Sequence, residues 1–133
     1  MTHTILGWGV DVLGVGRVER AVARHGEGFL GEFLRPSETS ACFQSSRPLS
    51  RCASLFAAKE AFFKALGTGK SGRLRWTDLE VCAWRGRVPA LALSGEAERW
   101  ARQAGVRRVH LDVASCGGRV GPEMVAAVVV LEG

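Results

Sequence analysis

The fold of this chain depends most on residues 56–69, which read Phe56-Ala57-Ala58-Lys59-Glu60-Ala61-Phe62-Phe63-Lys64-Ala65-Leu66-Gly67-Thr68-Gly69. Apolar residues recur at helical spacing, alanines lie between them, and a glycine follows where the pattern stops. We therefore predict an amphipathic helix over residues 51–66, preceded by a Ser/Pro break at 45–50 and followed by a glycine-rich loop.

Two charged side chains lie beside aromatic residues on this helix. At about 100° per residue, Glu60 and Lys64 are one turn apart, on a stripe that also carries Phe56, Phe63 and Gly67. They either form an ordinary salt bridge between residues four apart or provide a site for a metal ion and an anion. The helix alone leaves both interpretations open.

A single carboxylate interrupts an apolar segment near the start of the chain. Residues 5–13 read as a buried strand, and Asp11 is the only charged residue among them. A carboxylate in such a segment costs free energy unless it is paired, hydrogen-bonded or bound to a metal. Asp11 therefore either caps local amides near the end of the strand or belongs to a functional site.

The rest of the chain alternates helices with antiparallel strands. We predict a helix over 15–32, followed by a turn at 35–38 that leads into another helix. After the signature helix, we predict strands at 78–84 and 88–93, joined across residues 85–87. A helix from 94 to 103 and strands at 107–114 and 125–131 complete the prediction. This order favours an α+β fold over a doubly wound parallel sheet.

Composition narrows the class of protein. A chain of 133 residues is long enough for one domain with one core, so we expect a single domain over residues 1–133. The four cysteines show no CxxC spacing, which argues against a zinc site or a disulfide framework. No signal peptide or membrane span is evident, so we expect a cytoplasmic protein. The net charge of +5 predicts an acidic or phosphorylated partner.

Two motifs together resemble those of a known family. Gly9-Val10-Asp11-Val12 and the helix motif from Phe56 to Ala61, with Lys64 and Gly67-Thr68-Gly69 after it, resemble the signatures of the holo-acyl carrier protein synthases, the small phosphopantetheinyl transferases. The resemblance extends over most of the chain. It implies a phosphopantetheinyl transferase-like α+β fold, in which the long signature helix packs on an antiparallel sheet.

The resemblance also implies an activity. It implies Mg²⁺-dependent transfer of 4′-phosphopantetheine from coenzyme A to a serine of an acyl carrier protein, which converts the apo form to the holo form for fatty acid synthesis. Mg²⁺ is usually held by one or two carboxylates together with phosphate oxygens and water. Asp11 and Glu60 provide those carboxylates, and with Lys64 they form the expected catalytic set. Either a metal-bound water or one of the carboxylates deprotonates the serine, and the sequence does not choose between them.

Further residues are expected to contact the two substrates. Lys64 and the loop residues Gly67, Thr68, Gly69 and Lys70 are expected to bind phosphates of coenzyme A. Arg17, Arg20 and Arg24 are three and four residues apart and share a helix face. That face is either simply solvated or, as the resemblance implies, the docking surface for the acidic carrier protein.

The resemblance implies a homotrimer with each active site at a boundary between chains. Residues 125–131 are apolar on both faces of the predicted strand, so the second face must meet a helix or another subunit.

One segment departs from the family pattern. Asp112, Ala114 and Ser115 stand where the family has its late Ser-x-Ser-His segment, and several additional glycine-rich residues follow. An alternative to the active transferase is therefore a catalytically weak or inactive relative that still binds coenzyme A. A third alternative, supported only by the net charge, is a basic module that binds nucleic acid, in which Asp11 and Glu60 would have no role.

Overall fold

The computed structural model describes residues 2–67, 69, 72–82 and 89–133. These residues form β1 (Ile5–Gly14), α1 (Val15–His25), α2 (Pro36–Phe43), α3 (Pro48–Ala65), β2 (Leu79–Cys82), β3 (Ala90–Leu93), α4 (Gly95–Gln103), β4 (Arg108–Cys116) and β5 (Met124–Glu132), with short 3₁₀ turns at Glu27–Glu32 and Trp76–Asp78. The predicted α+β fold is confirmed. Within these residues, no helix is long and apolar enough to cross a membrane.

The main sheet has three antiparallel strands in the order β1-β5-β4. Asp11 pairs with Ala127 of the central strand, which pairs in turn with Val113 of β4. β2 and β3 form a separate antiparallel pair. Helix α3 lies across one face of the main sheet and is buried on nearly every side, as expected of a helix at the centre of a small domain.

Two glycines of β1 allow α3 to lie directly on the strand. A Cβ atom at Gly7 would collide with the carbonyl oxygen of Ala65, and one at Gly9 would collide with that of Ala61. The close approach therefore requires residues without a side chain. Since side chains alternate along a strand, Asp11 follows Gly9 on the face that meets α3. The glycine spacing thus brings a strand carboxylate beside the signature helix.

Two predicted helix boundaries were wrong. The helix predicted over 15–32 ends at His25, because Gly26 has a φ of 78°, in a region that favours glycine, and the chain continues as a 3₁₀ turn. The signature helix begins at Pro48 rather than at residue 51, because proline suits the first helical position. The predicted break is correspondingly shorter.

The prediction that β1 is buried was correct for one face only. Gly9 and Leu13 are buried against α3, whereas Leu6, Trp8, Val10 and Val12 point away from it and are exposed in the single chain. The predicted strands 107–114 and 125–131 correspond to β4 and β5. The turn predicted at 85–87 lies outside the described residues, although β2 and β3 pair as a hairpin requires.

Candidate active site

A cavity of about 400 Å³ opens between β1, α1 and α3. Its charged lining residues are Asp11, Arg17, Glu60 and Lys64. Its aromatic lining residues are Phe29, Phe33 and Phe56. The structure therefore brings together the strand carboxylate, the helix carboxylate and the lysine that the sequence singled out.

Lys64 pairs with the strand carboxylate. Its Nζ lies 2.9 Å from Asp11 Oδ1 and donates a second hydrogen bond, of 3.1 Å, to the carbonyl oxygen of Val10. The Asp11 side chain is only 15 % exposed, whereas that of Lys64 is 49 % exposed and reaches solvent. Among the described residues, Lys64 forms its ion pair with Asp11, and no salt bridge joins it to Glu60, one turn earlier in the helix. Lys64 therefore connects the helix to the strand.

Glu60 lies in an environment that opposes its ionisation. Burial raises the pKa of the Glu60 carboxyl above its ordinary value, the negative charge of Asp11 raises it further, and Lys64 partly offsets both effects. Two carboxylates that repel each other in a half-buried cavity are stabilised when a divalent cation lies between them.

The donor set fits Mg²⁺ better than a metal held only by protein. Among the described residues, no group of three or more His, Cys, Asp or Glu side chains is arranged to hold a metal. Mg²⁺ does not need such a group, because substrate phosphates and water complete its coordination. Asp11 and Glu60, which both line the cavity, would hold it.

Aromatic rings form the apolar wall of the cavity. The rings of Phe29 and Phe33 meet edge to face at 5.1 Å, and those of Phe33 and Phe56 do so at 5.0 Å. Phe56 stacks on Trp76 at 5.0 Å. Edge-to-face and stacked pairs at these distances are favourable, so the wall is held by its own contacts. Phe63, which shares the predicted stripe, is fully buried in the core.

The two described residues of the predicted loop, Gly67 and Gly69, do not line this cavity. The amide of Gly67 donates to the Lys64 carbonyl oxygen and that of Gly69 to the Phe63 carbonyl oxygen, so both close the end of α3. In this arrangement both amides are engaged within the chain, and the binding of coenzyme A phosphates by Gly67 and Gly69 stays a prediction. Thr68 and Lys70 lie outside the described residues.

The three arginines predicted to contact a partner lie along α1 and are all exposed. Arg17 also lines the cavity, whereas Arg20 and Arg24 do not. No ion pair joins any of the three to a carboxylate within the described part of the chain. Their charges extend from the mouth of the cavity along the helix.

A second cavity, of about 270 Å³, was missed by the sequence analysis. It lies on the β4 side of α3, and its polar lining residues are Ser45, Ser46, Arg47, Ser50, Arg51 and Ser54. Val113, Ala114 and Ser115 of β4 complete it. Little in the sequence pointed to this cavity, because the Ser/Pro segment was interpreted only as a break and β4 is distant in the sequence. Two of the residues that depart from the family pattern therefore line this second cavity.

Comparison with known proteins identifies similar chains along almost the whole length. The model of the 4′-phosphopantetheinyl transferase superfamily matches residues 7–116. A holo-(acyl-carrier-protein) synthase of Anaeromyxobacter dehalogenans is 42% identical over 132 residues, which cover 97% of both chains. One of Koribacter versatilis is 40% identical over 109 residues, 82% of this chain and 87% of that protein.

Solved structures show the same architecture. The crystal structure of the holo-(acyl-carrier-protein) synthase from Neisseria meningitidis superposes with a TM-score of 0.84 at 31% identity, covering 98% of this chain and 100% of that one. The Helicobacter pylori synthase in complex with coenzyme A gives a TM-score of 0.77 at 28% identity, covering 93% of this chain and 98% of that one.

Proposed function

Because this chain belongs to the 4′-phosphopantetheinyl transferase superfamily and is a holo-(acyl-carrier-protein) synthase, we propose that it transfers 4′-phosphopantetheine from coenzyme A to a serine of an acyl carrier protein, with Mg²⁺. The serine oxygen forms a bond to the phosphorus that carries pantetheine. The bond from that phosphorus to the bridging oxygen breaks, and adenosine 3′,5′-bisphosphate leaves. The observation that carries the proposal is the meeting of Asp11, Glu60 and Lys64 in one cavity.

The two carboxylates are the proposed metal ligands. When bound, Mg²⁺ neutralises phosphate charge and orients the pyrophosphate for displacement. Asp11 comes from a strand and Glu60 from a helix, and the glycine contact between β1 and α3 fixes their separation. Catalysis of this kind depends mostly on positioning, so a rigid junction between strand and helix suits it.

Lys64 is the proposed phosphate-binding cation. An ammonium group has three donors, and the described contacts of Lys64 use two of them. The third can reach a phosphate oxygen at the exposed side of the cavity and offset developing negative charge. The only acidic residues that line the cavity within the described chain are Asp11 and Glu60. Either one of them or a water that they hold is therefore the proposed acceptor of the serine proton.

The carrier protein is proposed to dock along α1. Arg17 lies at the cavity, and Arg20 and Arg24 extend the positive charge away from it. An acidic helical partner aligned with this row would bring its serine towards Asp11 and Glu60. Such complementary charge mainly speeds the encounter and sets its register. The holo carrier protein formed is proposed to serve fatty acid synthesis.

The proposed assembly is a homotrimer. The face of the sheet opposite α3 exposes apolar side chains along β1, of which Trp8 is 68% exposed and Val12 is 59% exposed. Val128 and Val130 of the central strand continue this face. A contiguous apolar sheet face is typical of an interface between subunits.

The positions of the two cavities support active sites shared between chains. The first lies beside β1 and the second beside β4, at opposite edges of the three-stranded sheet. In a head-to-tail ring, the β1 edge of one chain meets the β4 edge of the next. The serines and arginines of the second cavity would then provide anion-binding groups to the carboxylates of a neighbour.

Mixing two inactive variants tests the shared site. Asp11→Ala removes a group of the first cavity, and Arg47→Ala removes one of the second. After refolding together, chains of the two kinds should regain part of the activity, because some boundaries combine two intact halves. If each site lies within one chain, the mixture should remain as inactive as its components.

One assay tests the function itself. The protein, Mg²⁺, coenzyme A and an apo carrier protein are incubated, and the intact mass of the carrier protein is measured. We expect the added mass of one phosphopantetheine. Binding of coenzyme A by calorimetry without any such mass would instead support the weak or inactive relative, in which the altered lining of the second cavity prevents turnover.

A further inference from the structure

A fully buried ion pair lies next to the proposed metal ligand. Lys59 precedes Glu60 in α3, has no exposed surface, and places its Nζ 2.6 Å from Glu38 Oε1. The same ammonium donates a 2.7 Å hydrogen bond to the carbonyl oxygen of Phe33. Neither Lys59 nor Glu38 lines the first cavity. The pair therefore has no direct place in the proposed chemistry.

The pair ties together four parts of the chain. Besides the ammonium, Glu38 Oε1 accepts the backbone amide of Arg35 at the start of α2, and Oε2 accepts that of Val81 in β2, both at 2.9 Å. Lys59 lies in α3 and, through its hydrogen bond to Phe33, connects the cluster to the carbonyl group that follows the first 3₁₀ turn. One buried cluster of hydrogen bonds thus fixes α2, α3, β2 and the backbone at Phe33 relative to one another.

Stability alone is a poor explanation for this cluster. Buried ion pairs often lose more in desolvation than they gain in attraction, and apolar residues of similar volume can replace them without loss. A role in positioning neighbouring groups accounts better for such a pair.

The group that the pair positions is the aromatic wall of the cavity. Phe33 receives a hydrogen bond from Lys59 through its carbonyl oxygen, while its ring lines the cavity. That ring holds Phe29 and Phe56 by edge-to-face contacts. Arg17 and Glu60 line the same cavity. A shift of the backbone at Phe33 would therefore move the wall against which both substrates must fit.

We propose that Lys59 and Glu38 are positioning residues for the transfer reaction, because they hold the Phe33 wall of the active-site cavity in place. The proposal rests on the proposed function. In this proposal, the buried Lys59 of the signature helix maintains the shape of the cavity and does not contact phosphate or metal.

The test separates positioning from stability by removing one charge and then both. Lys59→Met leaves Glu38 as an unpaired buried charge, so it should unfold at a clearly lower temperature. The double variant Glu38→Gln with Lys59→Met has no unpaired charge and should regain most of that stability. Its KM for the carrier protein should nevertheless stay raised by about tenfold, since a misplacement of about 1 Å is enough to affect substrate positioning strongly. Arg102→Met, which breaks an exposed pair with Glu98 on α4, is the control and should change neither quantity.

A return of both melting temperature and KM to wild-type values in the double variant would overturn the proposal, because the pair would then be only structural. If the double variant does not fold, Glu38→Gln alone carries the test at low temperature. A raised KM then supports the proposal, and an unchanged KM overturns it.

A second measurement does not depend on activity. The NMR signals of the Phe33 ring, assigned with Phe33→Leu, should shift or broaden in the refolded double variant and stay unchanged in Arg102→Met. Unchanged ring signals would overturn the proposal even if the wild type transfers no phosphopantetheine. The absence of transfer by the wild type would refute the proposed function and leave the ring measurement to decide the positioning role.

Discussion

Replacing Gly9 by alanine should separate the strand from the signature helix. Besides its collision with the Ala61 carbonyl oxygen, a Cβ at this position would lie 2.7 Å from the backbone nitrogen of Ala65 and 2.9 Å from Lys64 Cβ. Ordinary contacts of a Cβ lie between 3.4 and 4 Å. The contacting atoms are mostly backbone, so the helix as a whole must retreat. The Ala65 nitrogen alone requires about 0.7 Å, and the closer Ala61 carbonyl oxygen requires about 1 Å.

This retreat should affect stability and activity together. Overpacking of this kind costs about 1–3 kcal/mol, which corresponds to a decrease of roughly 3–12 °C in melting temperature for a domain of this size. Because Asp11 is carried by the strand and Glu60 by the helix, their separation should also change. A displacement approaching 1 Å can lower the rate of transfer by up to about a hundredfold.

The assay compares Gly9→Ala, in the middle of β1, with Gly14→Ala, a matched substitution at the last residue of the same strand. A Cβ at Gly14 would meet only Met124 Sδ, at an ordinary distance of 3.6 Å. Thermal unfolding and the rate of phosphopantetheine transfer are measured for both variants. If Gly9→Ala has the melting temperature and rate of Gly14→Ala, the close contact does not position the two carboxylates.

Three further results are expected. The pKa of Glu60 is raised in the folded protein, so without metal the protein loses stability as pH rises from the ordinary carboxyl range through the folded-state pKa. Glu60→Gln should therefore raise the melting temperature of the metal-free protein at neutral pH. It should also abolish the increase in melting temperature on adding Mg²⁺, as calorimetry would show. Arg24→Glu should raise the KM for carrier protein about tenfold at low salt and less at high salt, unlike Arg99→Glu on α4. Trp8→Glu should give a monomer by light scattering, whereas Trp100→Glu should not.

The sequence was sufficient for the elements whose pattern is local. The apolar spacing and the glycine stop predicted α3, and the apolar segment interrupted by Asp11 predicted β1. The end of α1 at Gly26 was missed, because glycine inside a helical pattern is tolerated at some cost in stability and does not by itself end the helix. The start of α3 was missed because Pro48 was interpreted as part of a break, although proline also suits the first turn.

The contacts between residues far apart in the sequence could not be predicted from local spacing, although the family resemblance had named Asp11, Glu60 and Lys64 together. The cavity brings together Asp11 and Lys64, which are 53 residues apart, and the spacing of charges on the helix had suggested Glu60 as the partner of the lysine. The buried pair of Glu38 and Lys59 left no periodic signal, because an isolated lysine in a helix is usually exposed. The second cavity lies between the start of α3 and strand β4, which are far apart in the sequence and meet only in the folded chain.

The dependence of transfer on Mg²⁺ and Asp11 tests the central claim most directly. Carrier-protein mass is followed over time while Mg²⁺ is titrated into wild type, Asp11→Ala and the control Glu98→Ala, which removes an exposed carboxylate of α4. We predict that wild type and Glu98→Ala transfer phosphopantetheine at rates that rise with Mg²⁺ and then saturate, and that Asp11→Ala remains inactive while keeping its fold. Transfer by Asp11→Ala at the wild-type rate and with the wild-type Mg²⁺ dependence would contradict the assignment of this cavity as the active site.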